Sequence, residues 1–181
     1  MVDKNENELI KEFLRGNEIA FNELVRTHQK TIYWHARRMV GNHFDADEVT
    51  QQVIIVLFKK LKNFKFESSL STWIYKITQS RSLNLLRQKK VKRFFNMDDS
   101  ILQKLGAKED ILTNFEDKER IGKVQKLLEQ LPIKQKEVFV FRQFEQLSYK
   151  EISEITGTSI GGLKANYFHA AKRIMEMMND E

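Results

Sequence analysis

Residues 148–173, SYKEISEITGTSIGGLKANYFHAAKR, decide how this chain is read. Ser148 followed by Glu151 is a capping-box pattern, in which hydroxyl and carboxylate satisfy the free amides of a helix's first turn. Ile152 and Ile155 lie on one face of that helix, and Gly157 supplies the positive φ that ends it. Thr158 or Ser159 is placed to cap a second helix, where Ile160, Leu163, Tyr167, Ala171 and Ile174 recur at helical spacing. Lys164, Asn166, His169, Lys172 and Arg173 fall largely on its other faces. This is the layout of a helix-turn-helix whose second helix is offered to a DNA major groove. A helical hairpin inside an ordinary bundle is the alternative.

The rest of the chain agrees with a helical reading. Its 181 residues suit one sizeable domain or two small ones, and 41% hydrophobic content is enough for a core. One proline and seven glycines are too little punctuation for an all-β fold. Long stretches rich in Leu, Ile, Lys, Glu and Gln favour an all-α fold instead. The absence of cysteine excludes disulfides and thiolate metal sites and is compatible with a reducing compartment. No early apolar run resembles a signal peptide, and nothing approaches the ~20 apolar residues of a membrane span. A soluble cytoplasmic protein without membrane insertion is expected.

The formal net charge is +6. Residues 1–95 hold 18 basic and 10 acidic side chains, residues 96–120 hold 4 and 7, and residues 121–181 hold 9 and 8. Basic and near-neutral blocks flanking an acidic stretch suggest a polyanionic partner, nucleic acid before an anionic membrane.

Periodicity divides the chain. A short helix over residues 8–16 ends at Gly16, and a longer one runs from Glu18 to Val40, closed by Gly41-Asn42. Asp45 with Glu48 reads as a cap opening a helix with Val49, Val53, Val56, Leu57 and Leu61 inward. The connection Asn63–Ser69 leads into a helix from Leu70 toward Arg87, Lys89, Lys90, Lys92 and Arg93. These pieces make a first domain, residues 1–93. An acidic linker, residues 94–118, holds Asp98, Asp99, Glu109, Asp110, Glu116 and Asp117. Residues 119–181 form a second small domain, with Pro132 at a first helical position and Val138, Phe139, Phe141 and Phe144 in its core.

A second constellation lies within Phe64–Arg87. Lys76, Ser80, Asn84 and Arg87 line one side of a helix at i, i+4, i+8 and i+11, while Leu70, Trp73, Ile74 and Ile77 occupy the core-facing side. Basic side chains neutralise phosphates, amides and hydroxyls can read base edges, and aromatics in a shaped loop can hold unstacked bases. No phosphate loop, cysteine nucleophile or HExxH pattern is present, so an enzyme is not expected. His28 and His35 lie ~10 Å apart along a helix, too far to share one metal without a third element.

At this point a family becomes recognisable. Residues 18–93 resemble region 2 of the sigma-70 family of bacterial transcription initiation factors, and residues 119–178 resemble its region 4. The resemblance rests on Asp45–Leu61 (DADEVTQQVIIVLFKKL), Phe66–Arg87 (FESSLSTWIYKITQSRSLNLLR) and Leu131–Arg173, in that order. With only a linker between the two regions, the plan is similar to that of the extracytoplasmic-function (ECF) subfamily.

The resemblance implies a sigma factor that binds core RNA polymerase, through the β′ clamp helices and the β flap, and directs it to promoters. By position, Asp45, Asp47, Glu48, Gln51 and Gln52 match the face that docks on the clamp helices. A divalent metal site or helix-dipole compensation is the alternative for that acidic end. Phe64, Lys65, Phe66 and Glu67 match the loop that captures a flipped base of the non-template single strand at −10. Ser80, Arg81, Asn84 and Arg87 match the helix contacting that element. Ser159, Lys164, Asn166, His169, Lys172 and Arg173 match the reader of duplex −35 DNA. An anti-sigma partner and a monomeric free state are further implications, and no catalytic residue, cofactor or metal is implied. Two departures stand out: Ser80 replaces a common Asn, and Gly161-Gly162-Leu163-Lys164-Ala165-Asn166 replaces a start richer in threonine and arginine. The competing reading is a dimeric helix-turn-helix regulator, which has no use for Asp45–Arg87.

Overall fold

Asparagines start the first three helices. A computed structural model describes residues 5–95 and 115–179, and Asn5, Asn17 and Asn42 open α1 (Glu6–Leu14), α2 (Glu18–Val40) and α3 (His43–Lys60). Each side-chain oxygen accepts from an amide of the first turn, as at Asp45, whose N–H lies 2.9 Å from Asn42 Oδ1. The expected cap at Asp45 is therefore displaced to Asn42, whose extended backbone lets its side chain reach back. After a 3-10 turn over Leu61–Asn63, Ser69 Oγ accepts from the Thr72 amide at 3.1 Å to start α4 (Leu70–Phe95).

The chain resumes as α5 (Phe115–Glu129), followed by α6 (Ile133–Gln143), α7 (Tyr149–Thr156) and α8 (Ile160–Asn179). Helix thus reaches into both ends of the expected 94–118 linker, and residues 96–114, with Asp98, Asp99, Glu109 and Asp110, lie outside the described residues. Pro132 stands one position before the helix it opens, as N-cap rather than first helical residue. The capping box at Ser148 and Glu151 is complete, and hydrogen bonds from Ser148 lower the Glu151 pKa. Gly157 ends α7 at φ 70°. Ser159 caps α8, its Oγ 3.2 Å from the Gly162 amide. No strand occurs among the described residues.

Helices α1–α4 pack around Ile10, Ile32, Met39, Val49, Val53 and Leu61, all essentially removed from water. Helices α6–α8 enclose Val138, Phe141, Ile152, Ile155 and Leu163, and α4 adds Tyr75 to that cluster. On α8 the inward position is Ala170, fully buried, whereas Ile160 is 43% exposed and Ala171 half-buried. Apolar packing continues between the two halves, because Leu128, Leu131, Val140 and Ala170 belong to the cluster of α1–α4.

A buried polar chain crosses the same boundary. Gln79 on α4 donates from Nε2 to Glu137 Oε1 on α6 at 2.8 Å. A carboxylate only accepts, so Gln79 Oε1 must face the other way, toward His35 Nε2 on α2 at 2.9 Å. His35 Nε2 is therefore the N–H donor. On the far side of the ring, His35 Nδ1 lies 3.4 Å from Glu145 Oε1. Glu145 accepts from Tyr75 OH at 2.7 Å and from Arg38 at 3.3 Å. The Arg38 guanidinium sits 4.3 Å above the Phe144 ring. Lys136 reaches the Met39 carbonyl at 3.1 Å, in the last turn of α2, where carbonyls lack helical partners. Burial lowers the Lys136 pKa, partly offset by Glu129.

Burial alone would raise the Glu145 pKa, but His35, Tyr75 and Arg38 together hold it below the ordinary carboxylate value. A depressed native pKa stabilises the fold above the unfolded-state pKa and loses that stabilisation as pH falls through the native one. Urea denaturation across the acid range should therefore show a progressive loss below about pH 4.3, the ordinary carboxylate pKa, and Glu145→Gln should flatten that limb. Ser148→Ala should cost about 1 kcal/mol through the lost cap, measured as a lowered urea midpoint with unchanged slope.

Candidate nucleic-acid and polymerase interfaces

Three surfaces remain after the core faces of α3, α4 and α8 are used. The first is a cleft of about 320 Å³ between α3 and α4, lined by Val56, Lys60, Trp73, Lys76, Ile77, Ser80, Arg81 and Asn84. Helical spacing alone brings Trp73, Lys76, Ile77, Ser80, Arg81 and Asn84 to one side of α4. Trp73 and Ile77 are only half-buried, so they serve the cleft wall as well as the core. Arg87, one turn beyond, donates to Asn84 Oδ1 at 3.2 Å and fixes the direction of that amide.

The loop before α4 joins the cleft through stacked rings. Phe64 lies 5.2 Å from Trp73 and 4.8 Å from Phe66, centroid to centroid. Phe66 takes φ 58°, a left-handed conformation that bulky residues rarely adopt. It holds the ring 47% exposed beside exposed Lys65 and Glu67. Aromatic faces, two free-standing lysines and hydrogen-bonding side chains thus form one continuous wall, suited to a splayed single strand. Lys60 was not singled out from sequence, and Val56 was read there as an inward position, whereas it is half-buried in the cleft wall. They come from the end of α3 rather than from α4, and only the packing of the two helices brings them in.

The second surface runs along α3. Asp45, expected to be part of it, points inward, buried and paired with Lys89, with Nζ 2.6 Å from Oδ1. Asp47 faces outward within 3.2 Å of His43, and Gln52 bonds Glu48 at 3.0 Å. Gln51 is exposed. Phe44, Ile55 and Phe58 are 51%, 52% and 45% exposed. Their spacing with Glu48 and Gln51 puts all five residues in one stripe of the helix. Phe58 also packs edge-on against Phe21 at 5.2 Å, so one of its faces is anchored. The stripe is apolar at three points and carboxylate or amide between them. Sequence reading found its polar members alone, because the positions of Ile55 and Phe58 read equally well as core.

The third surface is the outer face of α8. Lys164, Ala165, Phe168, His169, Lys172 and Arg173 are exposed, whereas Asn166 is half-buried. Ser159 is exposed, but its hydroxyl oxygen is occupied in capping. A Cβ at Gly162 would lie 3.2 Å from Ser159 Oγ, so the capping hydroxyl would have to give slightly to admit one. Lys164 Nζ lies 6.0 Å from the Tyr149 ring centroid, and Lys172 forms an open pair with Glu176 at 3.8 Å. Phe168, unremarked in the sequence, is 65% exposed between Lys164 and Lys172 at i±4. An apolar ring there can meet a thymine methyl.

No helix among the described residues is long and apolar enough to cross a membrane. Comparison with known proteins places the surfaces in context. Sigma-70 region 2 matches residues 24–91, and sigma-70 region 4 matches residues 121–174. The ECF RNA polymerase sigma factor SigW of Bacillus subtilis is 25% identical over 178 residues, covering 94% of this chain and 95% of SigW. The ECF RNA polymerase sigma-E factor of Haemophilus influenzae is 28% identical, covering 92% and 91%. Among solved structures, CnrH in complex with the cytosolic domain of CnrY shares the fold at TM-score 0.73 and 18% identity, covering 97% of this chain and 98% of that one. With both sigma regions matched in order, and with relatives aligned over nearly the full length, this chain belongs to the sigma-70 family as an ECF-type factor that directs RNA polymerase to promoters.

Proposed function

We propose that the three surfaces divide promoter recognition among them. Helix α3 docks on the β′ clamp helices of core RNA polymerase through Asp47, Glu48, Gln51 and Gln52, with Phe44, Ile55 and Phe58 as apolar anchors. Asp45 acts behind that face by holding α3 to Lys89. The cleft between α3 and α4 takes the non-template strand of the −10 element. Lys60, Lys76 and Arg81 meet phosphates there, Ser80 and Asn84 meet base edges, and the Phe64–Glu67 loop holds a flipped base. Helix α8 enters the −35 major groove with Lys164 and Phe168 toward the bases and His169, Lys172 and Arg173 toward phosphates, and region 4 contacts the β flap.

In this reading residues 1–93 and 119–181 are the two functional regions, and residues 94–118 connect them. The free protein is a monomer in the bacterial cytoplasm, and all bond chemistry belongs to the polymerase. The RpoE of Bartonella quintana, solved in complex with the anti-sigma factor NepR, has the same fold at TM-score 0.68 and 18% identity, covering 88% of this chain and 96% of that one. An anti-sigma protein covering the α3 stripe fits the three exposed apolar side chains there.

The observation that carries the proposal is the continuous wall from Phe66 through Phe64 and Trp73 to Asn84, which a duplex-binding repressor would not need. Run-off transcription with purified core polymerase tests it: promoter-specific transcripts are expected, whereas tight dimeric operator binding without transcripts would refute it. Asn84→Ala should weaken discrimination among −10 variants, whereas Lys172→Ala should weaken all promoters alike and lower the log–log salt slope by about 0.9. Quantitative footprinting of the holoenzyme on a small promoter panel at several salt concentrations separates the two effects.

A further inference from the structure

Helix α4 carries seven basic and no acidic side chains, and no Asp or Glu occurs between Glu67 and Asp98. Its last buried residue is Leu85. Beyond that point Lys89 ties the helix to Asp45, and every residue from Lys90 to Phe95 is exposed. Val91, Phe94 and Phe95 are 55%, 80% and 77% exposed, and no other large apolar side chain among the described residues is as open as the two phenylalanines. The fold makes no use of these rings, and no acidic group on their own helix offsets Lys90, Lys92 and Arg93. Exposed apolar side chains gathered in one patch mark a surface that meets a partner.

The patch continues the face that lines the cleft. Lys76, Ser80, Asn84 and Arg87 follow one another at i, i+4, i+8 and i+11, and Val91 and Phe94 come next at i+15 and i+18. At 3.6 residues per turn, all six lie within about 80° of the helix circumference. From Trp73 to Phe94 that face is ~30 Å long at ~1.5 Å per residue. Aromatic rings stand at both ends: Phe64 and Phe66 beside Trp73 at one, Phe94 and Phe95 at the other. Lys90, Val91, Arg93, Phe94 and Phe95 surround an open groove of about 460 Å³. The two phenyl rings meet edge to face, with centroids 5.6 Å apart, and form an apolar corner beside two cations.

That chemistry selects among polyanions. Lys90 and Arg93 alone would serve the phosphates of a duplex, whose base faces stay stacked on one another. Open aromatic faces gain from DNA only where bases are unpaired. A phenyl ring has no hydrogen-bonding group, so it stacks on any base and reads none. We infer that Lys90–Phe95 is a second single-strand platform, which holds the non-template strand of an opened promoter where it leaves the cleft between α3 and α4. Phe94 and Phe95 stack on unpaired bases without regard to sequence, and Lys90 and Arg93 neutralise the neighbouring phosphates. The inference rests on the promoter reading above, in which the cleft takes the −10 strand. It adds a division of labour along one helix: the cleft chooses the sequence, and the platform prolongs the opened state.

The lifetime of heparin-challenged open complexes, formed by the reconstituted holoenzyme, tests the platform. Phe94→Ser/Phe95→Ser changes exposed side chains only. It should shorten that lifetime about tenfold, the loss of one base–aromatic stack. The loss should be the same on duplex promoters, on promoters with a premelted −10 bubble and on all −10 variants. Phe94→Trp/Phe95→Trp keeps the stacking faces and should keep the lifetime, a rescue that a purely electrostatic role would not require. With p-benzoylphenylalanine in place of Phe94, photocrosslinks should fall on the non-template strand within the opened segment. An unchanged lifetime for the serine variant, or crosslinks confined to paired DNA or to the template strand, would overturn the platform. An unchanged lifetime together with Phe94-dependent binding to phosphatidylglycerol vesicles would assign the groove to a lipid surface instead. Failure of the wild type to form any open complex would overturn the promoter reading. Fluorescence anisotropy of a short labelled oligo(dT) strand then decides the platform separately. The full-length wild type should bind that strand about tenfold more tightly than the serine variant, and equal affinities would overturn the inference.

Discussion

The carboxylate of Glu145 is the point on which the arrangement of the two halves turns. It sits just beyond α6 and is engaged by His35 and Arg38 of α2 and by Tyr75 of α4. A buried carboxylate is costly unless charge and hydrogen bonds surround it. Its place is therefore defined by where α2 and α4 can supply donors. The constraint passes outward in both directions. The groups that fix Glu145 also bring Phe141 against His35, and Phe141 is the largest fully buried side chain among the described residues and a member of the α6–α8 cluster. Positioning one carboxylate thus positions the helix-turn-helix.

The same economy governs the exposed faces. Helices α3, α4 and α8 each use one side for packing, and what they present outward is set by the residues three and four positions away. On α4, Leu70 and Ile74 face the core, and this turns Lys76, Ser80 and Asn84 into the cleft. On α8, burial of Leu163 and Ala170 turns Lys164, Phe168 and Lys172 outward. Recognition and stability are two readings of one helical register. A substitution that shifted the packing would also rotate the contacts.

Much of this was legible in the sequence because it is local. The capping box at Ser148, the turn at Gly157 and the bounds of α2 each depend on residues within a few positions of one another. The cap of α3 lies at Asn42 rather than Asp45, and the aspartate instead pairs with Lys89, 44 residues distant. Contacts between elements were not legible. Lys136 and Glu137 were not singled out from sequence, yet both are buried, because their partners Met39 and Gln79 lie 97 and 58 residues away. Lys60 joins the cleft for the same reason. On the outer face of α8, Phe168 was hidden by its own chemistry, because an aromatic at helical spacing reads as core.

A polar seam differs from an apolar one in what happens when it opens. Exposing a core of leucines costs free energy in proportion to the area released, and the exposed faces then seek other apolar partners. Exposing His35, Gln79, Glu137 and Glu145 returns them to water, which supplies the hydrogen bonds they lose. The net stability of such buried polar contacts is modest, while their geometry admits one pairing and rejects slipped ones. A seam of that kind favours one arrangement of the two halves over slipped ones. The apolar component of the seam, Leu128, Leu131, Val140 and Ala170 against α1–α4 together with Phe141 against His35 and Tyr75, supplies attraction. The polar chain supplies the register, so attraction and alignment come from different side chains of one boundary.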